Sequence, residues 1–278
     1  MELGMIQFLA APFAASLILT GIHTYLGVHV VERGVIFVDL SLAQIAAFGA
    51  TMALLLPISG GDPHGSAVYW VSLGFTFLGA LLFSTIRGQR ARIPQEAIIG
   101  IAYAVASAAT ILAMSKATSE GEHLKDMLVG NILAVSQREV LTTAGLYVLI
   151  GIFHYVFRRR FLLISLEPQR AEAEGVSIRL WDFLFYMSFG LVVTRSVAIA
   201  GVLLVFCYLI VPSVAAMLYA DRIGPRLAIG WTMGSVVSAL GVYFSLWLDL
   251  PTGATIVCTF GAVLVLMALV RPLIQSHA

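Results

Sequence analysis

Long apolar stretches recur along the whole chain, and short polar segments separate them. Each stretch is close to the roughly 20 residues with which an α-helix crosses a hydrocarbon core of about 30 Å. No stretch of soluble-domain character remains between them, so the pattern predicts a single transmembrane domain over residues 1–278. The predicted spans are about nine, at 8–30, 35–57, 67–86, 97–114, 139–157, 180–194, 201–219, 227–247 and 253–270.

The composition supports an all-α polytopic membrane protein. Hydrophobic residues make up 60% of the chain and charged residues 11%, whereas a soluble domain has roughly 25% charged residues. The first apolar run, beginning in MELGMIQFLAAPF, has no basic flank and no small-residue cleavage site. We therefore expect it to be retained as a span and not removed as a signal peptide.

Basic residues are distributed unequally between the two sets of connections. Four of the 16 Lys and Arg residues fall on one set, namely Lys116, Lys125, Arg138 and Arg195. The positive-inside rule assigns the richer set to the cytoplasm, so the sequence predicts an external N-terminus and a cytoplasmic C-terminus. The richer set holds Arg33, Arg87, Arg90, Arg92, Arg158, Arg159, Arg160, Arg170, Arg179, Arg222, Arg226 and Arg271.

The longest cytoplasmic connection, at about 160–180, contains a short amphipathic helix by pattern. Pro168 suits a first helical turn, Glu167 lies where the helix dipole favours an anion, and Gly175 can end the helix. The helix PQRAEAEG is too short to cross a bilayer, and small alanines beside charges suit docking into a groove of another protein. The alternative is an interfacial helix that lies on lipid beside the preceding arginines.

Asp39 is a carboxylate inside the apolar run FVDLSLAQIAAFG. A charge in hydrocarbon costs roughly 2.5–3.5 kcal/mol on insertion scales, and such groups usually face a bundle interior or water. We therefore expect Asp39 to face a pathway. The alternative is that Asp39 pairs with Arg33 or caps its helix. Gln44 lies about 140° from Asp39 on a regular helix, so the two share a face only if the helix is broken near Ser41.

Catalytic signatures do not occur in the chain. It has no GxxxxGK[ST] phosphate loop, no HExxH and no GxSxG, and its six histidines are dispersed. Cys207 and Cys258 lie in apolar windows and are expected to act as small hydrophobes. The chain is therefore expected not to be an enzyme, and any energy source for transport is expected on another chain.

Five segments, in order along nearly the whole chain, resemble the permease subunits of bacterial ABC importers for zinc, manganese and iron. The most specific is the last, GVYFSLWLDLPTGATIV. The first segment, Leu26–Gly49, leads from a Val-Val-x-Arg element into a motif similar to the family's Asp-x-x-Ser-His-x-x-x-Pro-Gly. The segments are Leu26–Gly49, Met127–Ser136, Glu167–Ser177, Gly201–Leu218 and Gly241–Val257.

The resemblance implies a type II ABC importer-like fold in the bacterial cytoplasmic (inner) membrane. It implies a permease homodimer, two cytoplasmic ABC ATPase subunits and a periplasmic or lipid-anchored metal-binding protein that delivers the ion. It implies no cofactor bound by this chain, only a transported divalent metal ion. The predicted ATPase-coupling residues are Glu167, Ala171, Glu174 and Gly175.

The chain departs from the family motif near Asp39. Aligned on the terminal glycine, the family's Ser-His falls on Ala43-Gln44, its Pro on Phe48 and its Asp on Leu40. A carboxamide oxygen is a harder and weaker ligand than imidazole, so a tight zinc site is not expected here. The hypothesis is that Asp39, together with Gln44, lines the path of a divalent cation, whether zinc, manganese or iron.

Two other functions remain open at this point. The same general architecture serves metal chelates such as siderophores and cobalamin. An intramembrane enzyme is the other candidate, and it would need several convergent acids, histidines or nucleophiles within the bilayer.

Overall fold

The computed structural model describes residues 3–56, 65–86, 93–115 and 132–275, which form helices joined by short connections and contain no strand. Eight of these helices are long and apolar enough to cross a membrane, and a ninth, Val202–Met217, is apolar but shorter. The predicted all-α fold with about nine spans is confirmed. Residues 127–131 of the Met127–Ser136 segment lie outside the described residues, as do Arg87, Arg90, Arg92, Lys116 and Lys125.

The helices follow the predicted spans closely, and a 3-10 turn, Ile132–Ala134, precedes α5. Their bounds are α1 Leu3–Glu32, α2 Val38–Leu55, α3 Ser66–Ile86, α4 Gln95–Met114, α5 Gln137–Val156, α6 Arg158–Leu166, α7 Pro168–Ala173, α8 Ile178–Ala200, α9 Val202–Met217, α10 Ile223–Leu248 and α11 Thr252–Gln275.

Two elements differ from the sequence prediction. The span predicted at 180–194 is longer, because α8 continues past Arg195 and ends only where Gly201 takes a φ of 76°. The sequence also gave no reason to expect α6, since three arginines open it. That helix forms because Phe161 and Ile164, three residues apart, bury one of its faces.

One compact unit comprises Met1–Val31, Asp126–Gly151 and Ala198–Ala278. Within it, α9, α10 and α11 pack against one another, and α1 approaches α9 closely at Gly27. A Cβ atom added to Gly27 would lie 1.9 Å from the carbonyl oxygen of Leu209. The backbones therefore meet at a point where only glycine fits.

The second compact unit comprises Glu32–Lys125 and Ile152–Val197. Its centre is α2, which packs against both α3 and α4. The hydroxyl of Ser72 on α3 donates to the carbonyl oxygen of Ala46 on α2 at 2.8 Å. This unit contains Asp39 as well as the whole predicted coupling segment. The prediction of a single domain over the whole chain stays a prediction.

Gly27→Ala tests the close approach of α1 and α9. Overpacking of this kind costs about 1–3 kcal/mol, so the thermal midpoint of the detergent-solubilised chain should fall. Gly21→Ala on the same helix is the matched control, because an added Cβ there meets no atom within 4 Å. Fluorescence-detected size-exclusion chromatography after heating measures both, and equal midpoints for the two variants would contradict the prediction.

Candidate functional site

The connection between α1 and α2 is held by the buried side chain of Arg33. Its Nη1 lies 2.7 Å from Oδ1 of Asp182, and the two side chains are 1% and 0% exposed. Its Nε donates to the hydroxyl of Ser165 on α6 at 2.8 Å. The guanidinium also lies over the ring of Phe185, with 3.9 Å between Cζ and the ring centroid. Arg33 thus joins the connection to α6 and to the first turns of α8.

Asp39 lies in the first turn of α2 and is 1% exposed. Its Oδ1 has no hydrogen-bond partner among the described residues, and the backbone N–H groups of Asp39 and Leu40 lie near the carboxylate. The described structure shows no ion pair between Asp39 and Arg33, whose 2.7 Å salt bridge goes to Asp182. The alternative of an Arg33 pair is therefore not supported, although the position within the first turn does suit an acid. A buried polar atom without a partner is rare in native proteins and calls for an explanation, such as a bound water or ion.

Gln44 does not join Asp39. The helix α2 runs unbroken from Val38 to Leu55, so the break on which a shared face depended is not there. On a continuous helix the two side chains point about 140° apart. Gln44 is half-buried where Asp39 is fully buried. Their assignment as metal ligands stays a prediction, and this unit does not bring the two together.

Glu96 is a polar residue at this end of α2 that the sequence analysis missed. It lies in the first turn of α4, and its Oε1 accepts a hydrogen bond at 3.0 Å from the backbone N–H of Phe37, the residue before α2. Its Oε2 is buried and has no partner within the described chain. The sequence feature that could have indicated Glu96 is its position just before the apolar run that predicts α4.

The predicted coupling helix is present as α7, Pro168–Ala173. Arg170 forms a salt bridge to Glu167 at 3.1 Å and another to Glu174 at 2.9 Å. The hydrogen bonds to Glu167 and to Glu174 raise the pKa of the Arg170 guanidinium above its ordinary value. Gly175, with a φ of 71°, follows the helix as predicted. The exposed side of α7 therefore presents a row of alternating charges.

Ala171 differs from the other predicted coupling residues. Its methyl group is 0% exposed and packs with Ile164 and Val176. The backbone N–H of Val176 donates to the carbonyl oxygen of Ala171 at 2.9 Å, which closes the helix end around this cluster. Ala171 therefore supports α7 from beneath, and the surface open to a partner consists of its charged neighbours.

The described residues show no group that could form a resident metal site. Within the ranges that the structure covers, no three or more His, Cys, Asp or Glu residues are grouped so that they could hold a metal ion. Cys207 is half-buried and Cys258 is exposed. A metal relevant to this chain is accordingly treated below as cargo.

Residues 5–271 match the ABC 3 transport family. The matched range includes all the helices that carry the site. The chain belongs to the ABC 3 transport family. It is therefore a multi-pass membrane protein and the transport permease component of its system. The resemblance described from its segments is confirmed.

Relatives similar to this chain have names that specify cargo. The chain is 29% identical over 196 residues to the manganese transport system membrane protein MntC of Halalkalibacterium halodurans, covering 68% of this chain and 67% of that protein. It is 24% identical over 262 residues to the chelated iron transport system membrane protein YfeC of Yersinia pestis, covering 91% and 86%.

The fold matches that of a solved structure. The chain superimposes on PsaBC from Streptococcus pneumoniae, solved in complex with Fab, with a TM-score of 0.78 over 95% of this chain and 93% of that chain. Sequence identity is 22%, so this likeness establishes the shared fold and nothing finer.

Arg33→Met should destabilise the second unit strongly. It leaves the buried carboxylate of Asp182 without its guanidinium, and breaking a buried pair typically costs about 3–5 kcal/mol. Arg33→Met/Asp182→Leu should recover much of that loss, because no buried charge then remains.

Arg158→Met, at an exposed arginine of α6, is the control for that loss. The yield of monodisperse protein and its thermal midpoint after extraction measure all three variants. A wild-type midpoint for Arg33→Met alone would show that the ion pair contributes little.

Proposed function

We propose that this chain is the permease subunit of an ABC importer that carries a divalent transition-metal ion into the cytoplasm. The observation that carries the proposal is the buried Asp39 carboxylate, with one oxygen unpartnered among the described residues, in a member of the ABC 3 transport family. A membrane helix tolerates such a group when it faces a polar pathway. A passing cation then supplies the missing partner.

Manganese or iron is the cargo that the side chains favour. Carboxylate, carbonyl and water oxygens suit manganese, whereas thiolate or imidazole groups suit zinc. Asp39 offers oxygen, and the α2 position nearest the family's histidine holds Gln44. The relatives named for manganese and for chelated iron support the same choice. Weak oxygen coordination also allows the ion to leave, as conduction requires.

The proposed assembly is a homodimer of this permease with two ABC ATPase subunits on the cytoplasmic side and a metal-binding protein outside. Membership of the ABC 3 transport family supports partnership with an ATPase. The basic connections support an external N-terminus and a cytoplasmic C-terminus in the bacterial inner membrane. The charged side of α7 is the proposed ATPase contact, and ATP hydrolysis takes place on the partner chain.

A chelate permease is the second candidate, since one relative is named for chelated iron. The free ion and the chelate need different paths, because a chelate is wider and its ligands already satisfy the metal. Supplying a transport-deficient strain with manganese, with ferrous iron or with chelated iron separates them. Rescue by the chelate alone would replace the proposal of a free ion.

Asp39→Asn and Asp39→Ala should each abolish metal-dependent uptake, because both remove the charge that the cation meets in the pathway. Uptake of radioactive manganese by cells that express the importer measures the effect. Co-purification of the ATPase subunit should be unchanged, since Asp39 lies in α2 and α7 carries the coupling surface. Normal uptake by either variant would remove Asp39 from the mechanism.

Ala171→Glu should uncouple the permease from its ATPase. The new carboxylate would enter the cluster of Ile164 and Val176 and displace α7, so co-purified ATPase and manganese uptake should both fall severalfold. Ala198→Glu is the matched control, because it makes the same substitution at an exposed alanine of α8, outside the coupling segment. Full ATPase recovery with Ala171→Glu would show that α7 is not the contact.

A further inference from the structure

We propose that Glu96 supplies the second carboxylate of the cation site at Asp39, so that the ion is bound between the first turns of α2 and α4. This inference rests on the proposed transport of a divalent cation. It assigns a ligand that the sequence pattern did not indicate, and it replaces Gln44 as the partner of Asp39.

The fold places the two acids at the same end of two packed helices. Asp39 is in the first turn of α2 and Glu96 in the first turn of α4, and these helices are in contact. The hydrogen bond from the Phe37 N–H to Glu96 Oε1, at 3.0 Å, fixes the Glu96 side chain against the start of α2. Glu96 is therefore held beside the residues that lead into Asp39.

Each acid retains one buried oxygen that nothing in the described chain satisfies. These atoms are Oδ1 of Asp39 and Oε2 of Glu96. Two acids that share a site repel each other when both are ionised. A divalent cation removes that repulsion and supplies the partner that both oxygens lack, which a single additional hydrogen-bond donor would not do.

The nature of the ligands indicates the class of cation. Two carboxylates with water are hard oxygen ligands, which suit manganese and other hard divalent ions. A site with few protein ligands keeps several waters on the ion and releases it readily. In the proposed orientation this end of α2 and α4 is cytoplasmic, so an imported ion would reach the two carboxylates near the end of its path.

Glu96→Gln is the decisive variant. The amide keeps an oxygen that can accept from the Phe37 N–H, so the link between α4 and α2 remains while the charge is lost. Removal of even an outer-shell partner lowers metal affinity about 10–100-fold. Loss of a direct ligand should therefore lower the Mn²⁺ affinity at least about tenfold. Mn²⁺ titration followed by electron paramagnetic resonance, on the full-length permease in nanodiscs, measures the affinity.

Three further variants sharpen the result. Glu96→Asp keeps the charge and should retain part of the Mn²⁺ binding. Asp39→Asn/Glu96→Gln should be little worse than either single change, because ligands of one site are not additive. Asp221→Asn, at an exposed acid on the connection before α10, should leave binding and manganese uptake unchanged.

The outcomes separate this inference from the proposed function. Loss of Mn²⁺ affinity and of manganese uptake in Glu96→Gln, with an unchanged thermal midpoint, supports the paired site. Wild-type behaviour of Glu96→Gln while Asp39→Asn loses uptake overturns the role of Glu96 and leaves the proposed function standing. A wild-type chain that neither binds Mn²⁺ nor supports its uptake overturns both.

Discussion

The buried ion pair between Arg33 and Asp182 is the interaction on which the second unit depends. Two charges removed from water are tolerated only when each satisfies the other, and here the pair is 2.7 Å apart with both side chains almost wholly buried. Because Arg33 also donates to Ser165, three separate stretches of chain meet at one guanidinium: the α1–α2 connection, α6 and the start of α8. α2 begins at Val38, shortly after this point, and Asp39 lies in its first turn.

The same pair links the carboxylate region to the coupling segment through elements of one compact unit. Ser165 lies next to Ile164, whose side chain packs on Ala171 beneath α7. From the charged surface of α7 to the first turn of α2, the chain of contacts therefore runs through Ala171, α6 and Arg33. The contacts of Ala171 with Ile164 and of Ser165 with Arg33 are buried, and well-packed interiors transmit displacement because they compress little. Such a framework suits the proposed role, in which an ATPase that docks on α7 changes the surroundings of Asp39.

The sequence predicted what depends on local pattern and missed what depends on distant partners. Hydropathy located the spans, because the bilayer dictates both their length and their composition. The end of α7 at Gly175 was also predictable, since a left-handed residue closes a helix locally. The partner of Arg33 was not predictable, because 149 residues separate Arg33 from Asp182. Glu96 was missed because the predicted span began at residue 97, which left this acid in the preceding connection.

The geometry of α2 also explains why a site at Asp39 must recruit another helix. On a continuous helix the neighbour of Asp39 one turn later is residue 43, and that position holds a buried alanine, which has no ligating atom. Gln44, one residue further, points away from Asp39. The motif that this segment resembles carries its acid and its histidine four residues apart, on one face, so a single helix could offer two ligands. Here the acid is displaced by one residue and the histidine is absent, and a second ligand for Asp39 has to come from a packed neighbour. The first turn of α4 is the neighbour whose acid is already fixed against the start of α2.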